Sequence, residues 1–207
     1  MYVPAAFAET DPARLFDCIE AHSFGLLVSA DRDSGEPVAT HLPLLVARDQ
    51  GPRGRLVGHM ARANPQWRAI DGRHVLCVFS GPHAYVSPSW YEAENVVPTW
   101  NYVAVHVYGT CRVLDDNAAT AEIVARYVET YERSLPAPWT LDDSTRSFEK
   151  LVQLIVGFEI EIERIEGKWK LGQNHPQPRR AKAAEHLAAS ADAGAREIAR
   201  LMRATLA

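Results

Sequence analysis

A mainly β fold with helices at its periphery is predicted by three features of the sequence. Four short runs of strand character follow one another between residues 24 and 80, a longer β-rich run fills 99–114, and a strict apolar–polar alternation resumes at Phe158. Closely spaced strands divided by Gly-, Pro- and Asp-containing turns pair as an antiparallel sheet or barrel. Asp11-Pro12 opens a first helix, a side-chain cap followed by proline at the first helical position, and Leu15, Cys18, Ile19 and His22 then share a face. The early strands are expected at 24–30, 37–46, 55–60 and 74–80, with turns such as Asp31-Arg-Asp-Ser-Gly-Glu and Asp49-Gln-Gly-Pro-Arg-Gly between them. In 99–114, Val103, Val105, Val107 and Gly109 line one face and Tyr102, Ala104, His106 and Tyr108 the other; two occupied faces predict a central strand. Asn117 is expected to cap a second helix with Val124, Tyr127, Val128 and Tyr131 as its inner stripe. A short helical segment over 144–154 leads into a strand whose Glu159, Glu161 and Glu163 point to solvent, which predicts an edge or one-sided strand. The last stretch, 179–207, is Ala-rich and helical, with Ile198, Leu201 and Met202 as its apolar stripe.

Length and composition narrow the function. With 207 residues, 47% of them hydrophobic and 23% charged, the chain reads as an ordinary globular protein of one domain rather than a disordered or fibrous one. Cys18, Cys77 and Cys111 are widely separated and odd in number, so neither a disulfide framework nor a paired-cysteine metal site is expected, and a reducing cytoplasm is the expected compartment. No basic stretch precedes an apolar run at the N-terminus, so no signal peptide is expected. The two stretches free of Asp, Glu, Lys and Arg, 74–91 and 95–111, are interrupted by Pro82 and Pro88 and by Pro98, Asn101 and His106; no membrane span is expected. A formal charge of −4 excludes indiscriminate coating of polyanions by the whole surface. That charge is polarised: residues 168–207 hold eight basic and three acidic residues (+5), leaving fourteen and twenty-three (−9) for residues 1–167.

Three segments are dense in chemistry. Gly58-His-Met-Ala-Arg-Ala-Asn-Pro-Gln-Trp67 ends a strand and opens a helical turn, so Arg62, Asn64 and nearby N–H groups form an anion site or, on the simpler reading that this segment alone favours, a helix cap beside a solvated arginine. Gly81-Pro-His-Ala-Tyr-Val-Ser-Pro-Ser-Trp-Tyr91 is too polar for a core strand; it paves a flat ring-binding site, fills a subunit interface, or does both. Val97-Pro-Thr-Trp-Asn-Tyr-Val-Ala-Val-His-Val-Tyr-Gly109 places Thr99, Asn101 and His106 on a strand or just before it. The eight histidines show no i, i+4 helical pair and no accompanying carboxylate pattern, so no metal site is expected. Hydrolase elbow, Walker and dinucleotide-binding glycine motifs are absent from the sequence.

Together these segments resemble the PaiB-like FMN-binding negative transcriptional regulators, within the pyridoxamine-phosphate-oxidase-like split-barrel superfamily. The resemblance also includes Met1-Tyr-Val-Pro, His22-Ser-Phe-Gly, Thr40-His-Leu-Pro-Leu, Val156-Gly-Phe-Glu-Ile and Lys170-Leu-Gly-Gln-Asn. It implies a six-stranded antiparallel split β-barrel of the FMN-binding type, spanning 1–175, with a basic helical extension over 176–207 packed on the same domain. It further implies a homodimer with FMN in two clefts between subunits. Carried onto this chain, it makes Arg62 and Asn64, with His59 beside them, the phosphate residues. His41, Ser87, Thr99, Trp100, Asn101 and Tyr102 become contacts of the ribityl chain or ring, and Lys170, Gln173 and Asn174 reach the same cleft. The chain departs from the family ending at Gly172, where a serine is expected, and at His175, where an arginine is expected. Losing a hydroxyl and a permanent charge weakens phosphate binding and allows FMN to be absent from the purified protein.

The resemblance implies a repressor acting directly on DNA or through a regulatory protein partner. The alternative is an FMN-dependent oxidoreductase of flavin reductase or oxidase type, working on a small molecule with NAD(P)H, in which the protein mainly positions the cofactor. A third reading is a binding module for another planar ligand. If DNA is touched directly, Arg179, Arg180 and Lys182 in the basic stretch are the expected contacts, although a solvated helix face explains the same residues.

Overall fold

The computed structural model describes residues 1–141 and 148–206. Its strands are β1 (Ala8–Glu9), β2 (Phe24–Ala30), β3 (Pro37–Pro43), β4 (Leu45–Ala47), β5 (Arg55–Ala61), β6 (His74–Val86), β7 (Thr99–Val113) and β8 (Ile155–Lys170). The helices are α1 (Pro12–Ala21), α2 (Gln66–Ile70), α3 (Asn117–Glu132), α4 (Phe148–Val152), α5 (Gln177–Ala188) and α6 (Ala193–Ala204). The ladder runs β3-β2-β6-β7-β8-β5-β4, with β1 paired to β8, and every pairing whose register is defined is antiparallel.

The fold class is therefore the expected one, with a different strand count. Six strands have seven residues or more; the two further ones, β1 and β4, have two and three. The expected run over 37–46 is cut at Pro43-Leu44, where proline lacks a ladder donor and the Leu44 N–H turns to Ser23 O at 2.8 Å. β3 pairs with β2 at one end of the ladder, and β4 pairs with β5 at the other. One buried residue, Leu44, thus separates the two edges of a sheet that its hydrogen bonds leave open.

The chain falls into two compact units. One comprises Ile19–Phe79 and Val107–Ile165. Its interior is made by Leu27, Leu44, Leu56, Phe79, Phe158 and Ile160, all fully buried. Helix α3 lies against β4 and β5 through Ile123 and Tyr127, which cluster with Leu45 and Val57. The other comprises Met1–Cys18, Ser80–His106 and Glu166–Ala207, so the C-terminal helices belong with the ends of β6, β7 and β8. There Val86, Leu171, Leu187, Ile198 and Met202 are buried.

Several elements differ from expectation for local reasons. β6 continues six residues beyond Ser80, so Gly81-Pro-His-Ala-Tyr-Val is strand: Gly81, Ala84 and Val86 are buried while His83 and Tyr85 are exposed. β8 is interior to the sheet rather than an edge; its one-sidedness survives, with Glu161 and Glu163 exposed and Glu159 held by Arg55 (2.9 Å) and Arg112 (2.6 Å). The α3 cap is Asp116, whose carboxylate accepts from Ala118 N at 2.9 Å, and the deeper stripe is Thr120, Ile123 and Tyr127. The C-terminal stretch is two helices, interrupted where Asp192 accepts from Ala195 N at 2.7 Å and restarts the chain as α6. Of the segment expected over 144–154, residues 144–147 lie outside the described residues, and α4 occupies Phe148–Val152.

Candidate functional site

In the unit containing β2–β5, the residues after β5 build a polar corner. Asn64 Oδ1 accepts from Gln66 N, the first residue of α2, at 3.0 Å, while its Nδ2 donates to Thr40 Oγ1 at 3.0 Å. Gln66 is buried and donates to Ser29 Oγ (3.0 Å) and Val38 O (3.2 Å), and it accepts from Thr40 Oγ1. Thr40 and Gln66 stand inside family motifs, yet only the structure shows them joining β2, β3 and α2 around Asn64. Arg62 is exposed; its Nε donates to Gln153 O (2.7 Å) and Nη2 to Ile155 O (2.9 Å), fixing the guanidinium while Nη1 makes no bond among the described residues. His41 is exposed and stacks on Phe24 with centroids 5.9 Å apart. His59 instead lies edge-on to Tyr127 (5.0 Å, 65°), with Nδ1 buried and unpartnered; burial depresses its pKa and keeps the imidazole neutral. No hydrogen bond joins His59 to the Asn64 corner among the described residues.

In the other unit, the start of β7 carries the second group. Lys170 Nζ, at the end of β8, donates to Thr99 Oγ1 and to Trp100 O (2.9 Å), clamping the two strands with a half-exposed cation. Strand alternation separates Trp100 and Tyr102 from Thr99 and Asn101. Asn101 is fully buried; its Nδ2 donates to Met202 Sδ at 3.3 Å and its Oδ1 has no partner. Tyr102 carries Lys168 Nζ 5.2 Å from its ring centroid. Gln173 closes a local turn, accepting from Leu171 N (2.7 Å) and donating to Trp169 O (2.6 Å), and Asn174 beside it is exposed. Ser87 bonds Ser89 Oγ at 2.8 Å and caps the 3-10 turn Pro88–Tyr91. Gly172 has φ +82°, a conformation that suits glycine better than serine. His175 tilts onto Tyr91 (4.6 Å), and burial, then the charges of Arg179 and Lys170, lower its pKa.

A cavity of about 540 Å³ opens in this same unit, walled by His83, Tyr85, Trp90, Trp100, His186 and Asp192 among others. Tyr85 and Trp100 meet edge to face at 6.2 Å and 72°, and Trp90 stacks on His186 at 5.4 Å and 13°. His186 and Asp192 belong to the C-terminal helical segments and carried no sequence signal of a site.

A family model described as "Putative FMN-binding domain" matches residues 1–164. The chain belongs to the PaiB-like FMN-binding family. Among relatives, the protein named protease synthase and sporulation protein PAI 2 of Bacillus subtilis is 37% identical over 204 residues, covering 98% of this chain and 96% of its own. The family fold is matched by the FAD- and haem-binding protein of Mycobacterium smegmatis, with TM-score 0.60 and 20% identity over 80% of this chain and 74% of that one. The flavocytochrome Anf3 of Azotobacter vinelandii gives TM-score 0.58 and 17% identity over 79% and 69%.

FMN is the cofactor of this family, and each unit carries side chains of kinds that suit it. A phosphoryl group needs fixed cationic or N–H donors, and the Arg62 guanidinium, oriented by its two bonds to main-chain carbonyls, is of that kind. A polyol chain needs hydroxyl and amide partners, and Thr99 and Asn174 are of those kinds. FMN supplies hydride and single-electron chemistry when bound.

Proposed function

We propose that this FMN-binding split-barrel protein is a negative transcriptional regulator that works as a cytoplasmic homodimer. The observation that carries the reading is the 37% identity to the PAI 2 protein over nearly the whole length of both chains. In this reading Arg62 holds the phosphate, with Asn64 and His41 near it and His59 supporting the strand behind them. Thr99, Lys170 and Asn174 face the ribityl chain and ring, and Trp100 and Tyr102, which strand alternation turns to the other face of β7, lie outside that contact. Ser87, Asn101 and Gln173 shape that surface through the bonds they make within the fold. The C-terminal helices belong to one unit with the ends of β6, β7 and β8 and are not a domain of their own.

DNA contact, direct or through a partner, is assigned to the basic C-terminal stretch. Its three cations differ in availability: Arg179 is half-buried, Lys182 is exposed and paired with Glu92, and Arg180 is buried with Nη1 on Thr205 Oγ1 at 2.9 Å. Arg179 and Lys182 are therefore the contacts proposed, and Arg180 holds α5 to the end of α6.

Two measurements test the reading. FMN titration followed by absorbance should saturate on the wild type, and Arg62→Ala should weaken it about tenfold or more, with Arg62→Lys in between; equal affinity of wild type and Arg62→Ala refutes the phosphate assignment. Retention of a labelled DNA fragment from the promoter of the protein's own gene should fall steeply with salt, and the Arg179→Ala/Lys182→Ala variant should lower the salt slope by about 1 for each phosphate it no longer neutralises. NAD(P)H-dependent flavin bleaching with no DNA retention at any salt would instead establish the oxidoreductase.

A further inference from the structure

We propose that the cavity walled by Tyr85, Trp90 and Trp100 is a recognition site for a small organic cation, a protonated or quaternary amine, separate from the seat of the flavin phosphate. Tyr85 and Trp100 are 45% and 53% exposed although each is a large ring, and their near-perpendicular contact forms a corner with two π faces. His83 tilts toward Trp100 at 5.9 Å and 39°, and the Trp90–His186 stack forms a further aromatic wall. An aromatic corner of this kind attracts a cation through the ring quadrupoles, most strongly where water is partly displaced.

The rest of the molecule shows how this chain treats other aromatic faces. Arg164 sits 3.7 Å over Tyr108, Arg68 4.5 Å over Trp67, Arg14 5.6 Å over Trp169, and Lys168 5.2 Å over Tyr102. At each of those rings the protein supplies its own cation. The cavity lining, by contrast, includes no lysine or arginine among the described residues, so no internal cation competes for its rings.

Charge points the same way. The carboxylate in the lining is Asp192, the exposed cap of α6. Its Oδ2 accepts from Ala195 N at 2.7 Å, and Oδ1 makes no bond among the described residues. A helix N-terminus alone draws anions, but here a full negative charge already occupies it and outweighs the roughly half-unit positive end of the helix. Without lysine or arginine in its wall, the cavity offers a phosphate no permanent positive charge, which sets it apart from the Arg62 corner. Six of its lining residues, His186 and Asp192 among them, also lie beyond the segment that the family model matches.

The test uses choline as the cation and 3,3-dimethyl-1-butanol, its neutral isostere, as the control, titrated into the full-length protein by calorimetry and tryptophan fluorescence. Choline should bind saturably at one site per chain and change the tryptophan emission, and the isostere should bind at least about tenfold more weakly. Asp192→Asn keeps a capping side chain while removing the charge; it should weaken choline about tenfold and leave FMN binding unchanged. Trp90→Leu should weaken choline as well. Equal binding of choline and the isostere, choline affinity unchanged in Asp192→Asn, absence of saturable binding, or displacement of choline by FMN would each overturn the proposal.

Discussion

Asn64 uses both ends of its side-chain amide within the fold, its oxygen on Gln66 N and its nitrogen on Thr40 Oγ1. A ligand at this corner meets a donor set already held in position, which lowers the ordering cost of binding. Tyr127 is a second residue with two tasks, since its hydroxyl donates to Pro43 O at 2.6 Å, with Val57 O at 3.2 Å, from a ring that is almost wholly buried. That bond pins α3 to the point where the chain leaves β3. Tyr127→Phe should cost about 1–2 kcal/mol in urea unfolding, because the half-buried Pro43 carbonyl loses its donor; an unchanged midpoint would show that the bond contributes nothing. The sequence made Tyr127 one of four inner residues, and periodicity alone could not tell that Tyr131 ends 42% exposed while Tyr127 reaches the strands.

At the scale of elements, the long strands set the geometry. A Cβ at Gly109 would stand 2.0 Å from Glu161 O, so β7 and β8 approach there more closely than any other residue permits. Gly109→Ala should destabilise the protein by about 1–3 kcal/mol or more, read as a lowered denaturant midpoint, because backbone rather than a mobile side chain must move. Alternation made β2 and β7 legible to within a residue at each end, since both carry regular apolar faces. It missed the second half of β6, whose proline, histidine and tyrosine read as too polar for a core strand. Gly81, Ala84 and Val86 provide its buried face, a pattern too sparse to stand out from the polar residues between them. The C-terminal helices show the converse: their alanines were legible as helix, but the break at residues 189–192 rests on a single capping aspartate.

At the scale of the whole molecule, titration of buried groups links stability to pH. His59 has its folded pKa depressed by burial below the ordinary value of about 6.5. Between those two values the unfolded chain binds the proton that the folded chain refuses, so this stability is complete above the unfolded pKa and is lost as pH falls through the folded one. The urea midpoint should therefore drop between pH 7.5 and 5, and His59→Gln should flatten that drop; a slope unaffected by the substitution would assign the effect to other groups. Composition and local periodicity determined that this chain is mainly β with peripheral helices, because buried faces repeat every two or every three to four residues whatever the topology. Its motifs determined the family, because they are long and unusual in composition. Tertiary structure alone decided which polar residues share bonds, because Thr40 and Gln66, or Lys170 and Thr99, are far apart in sequence and meet only through strand pairing and helix placement. It also decided that the aromatic cavity takes part of its wall from His186 and Asp192, for periodicity gives the face of a helix but not what that face covers.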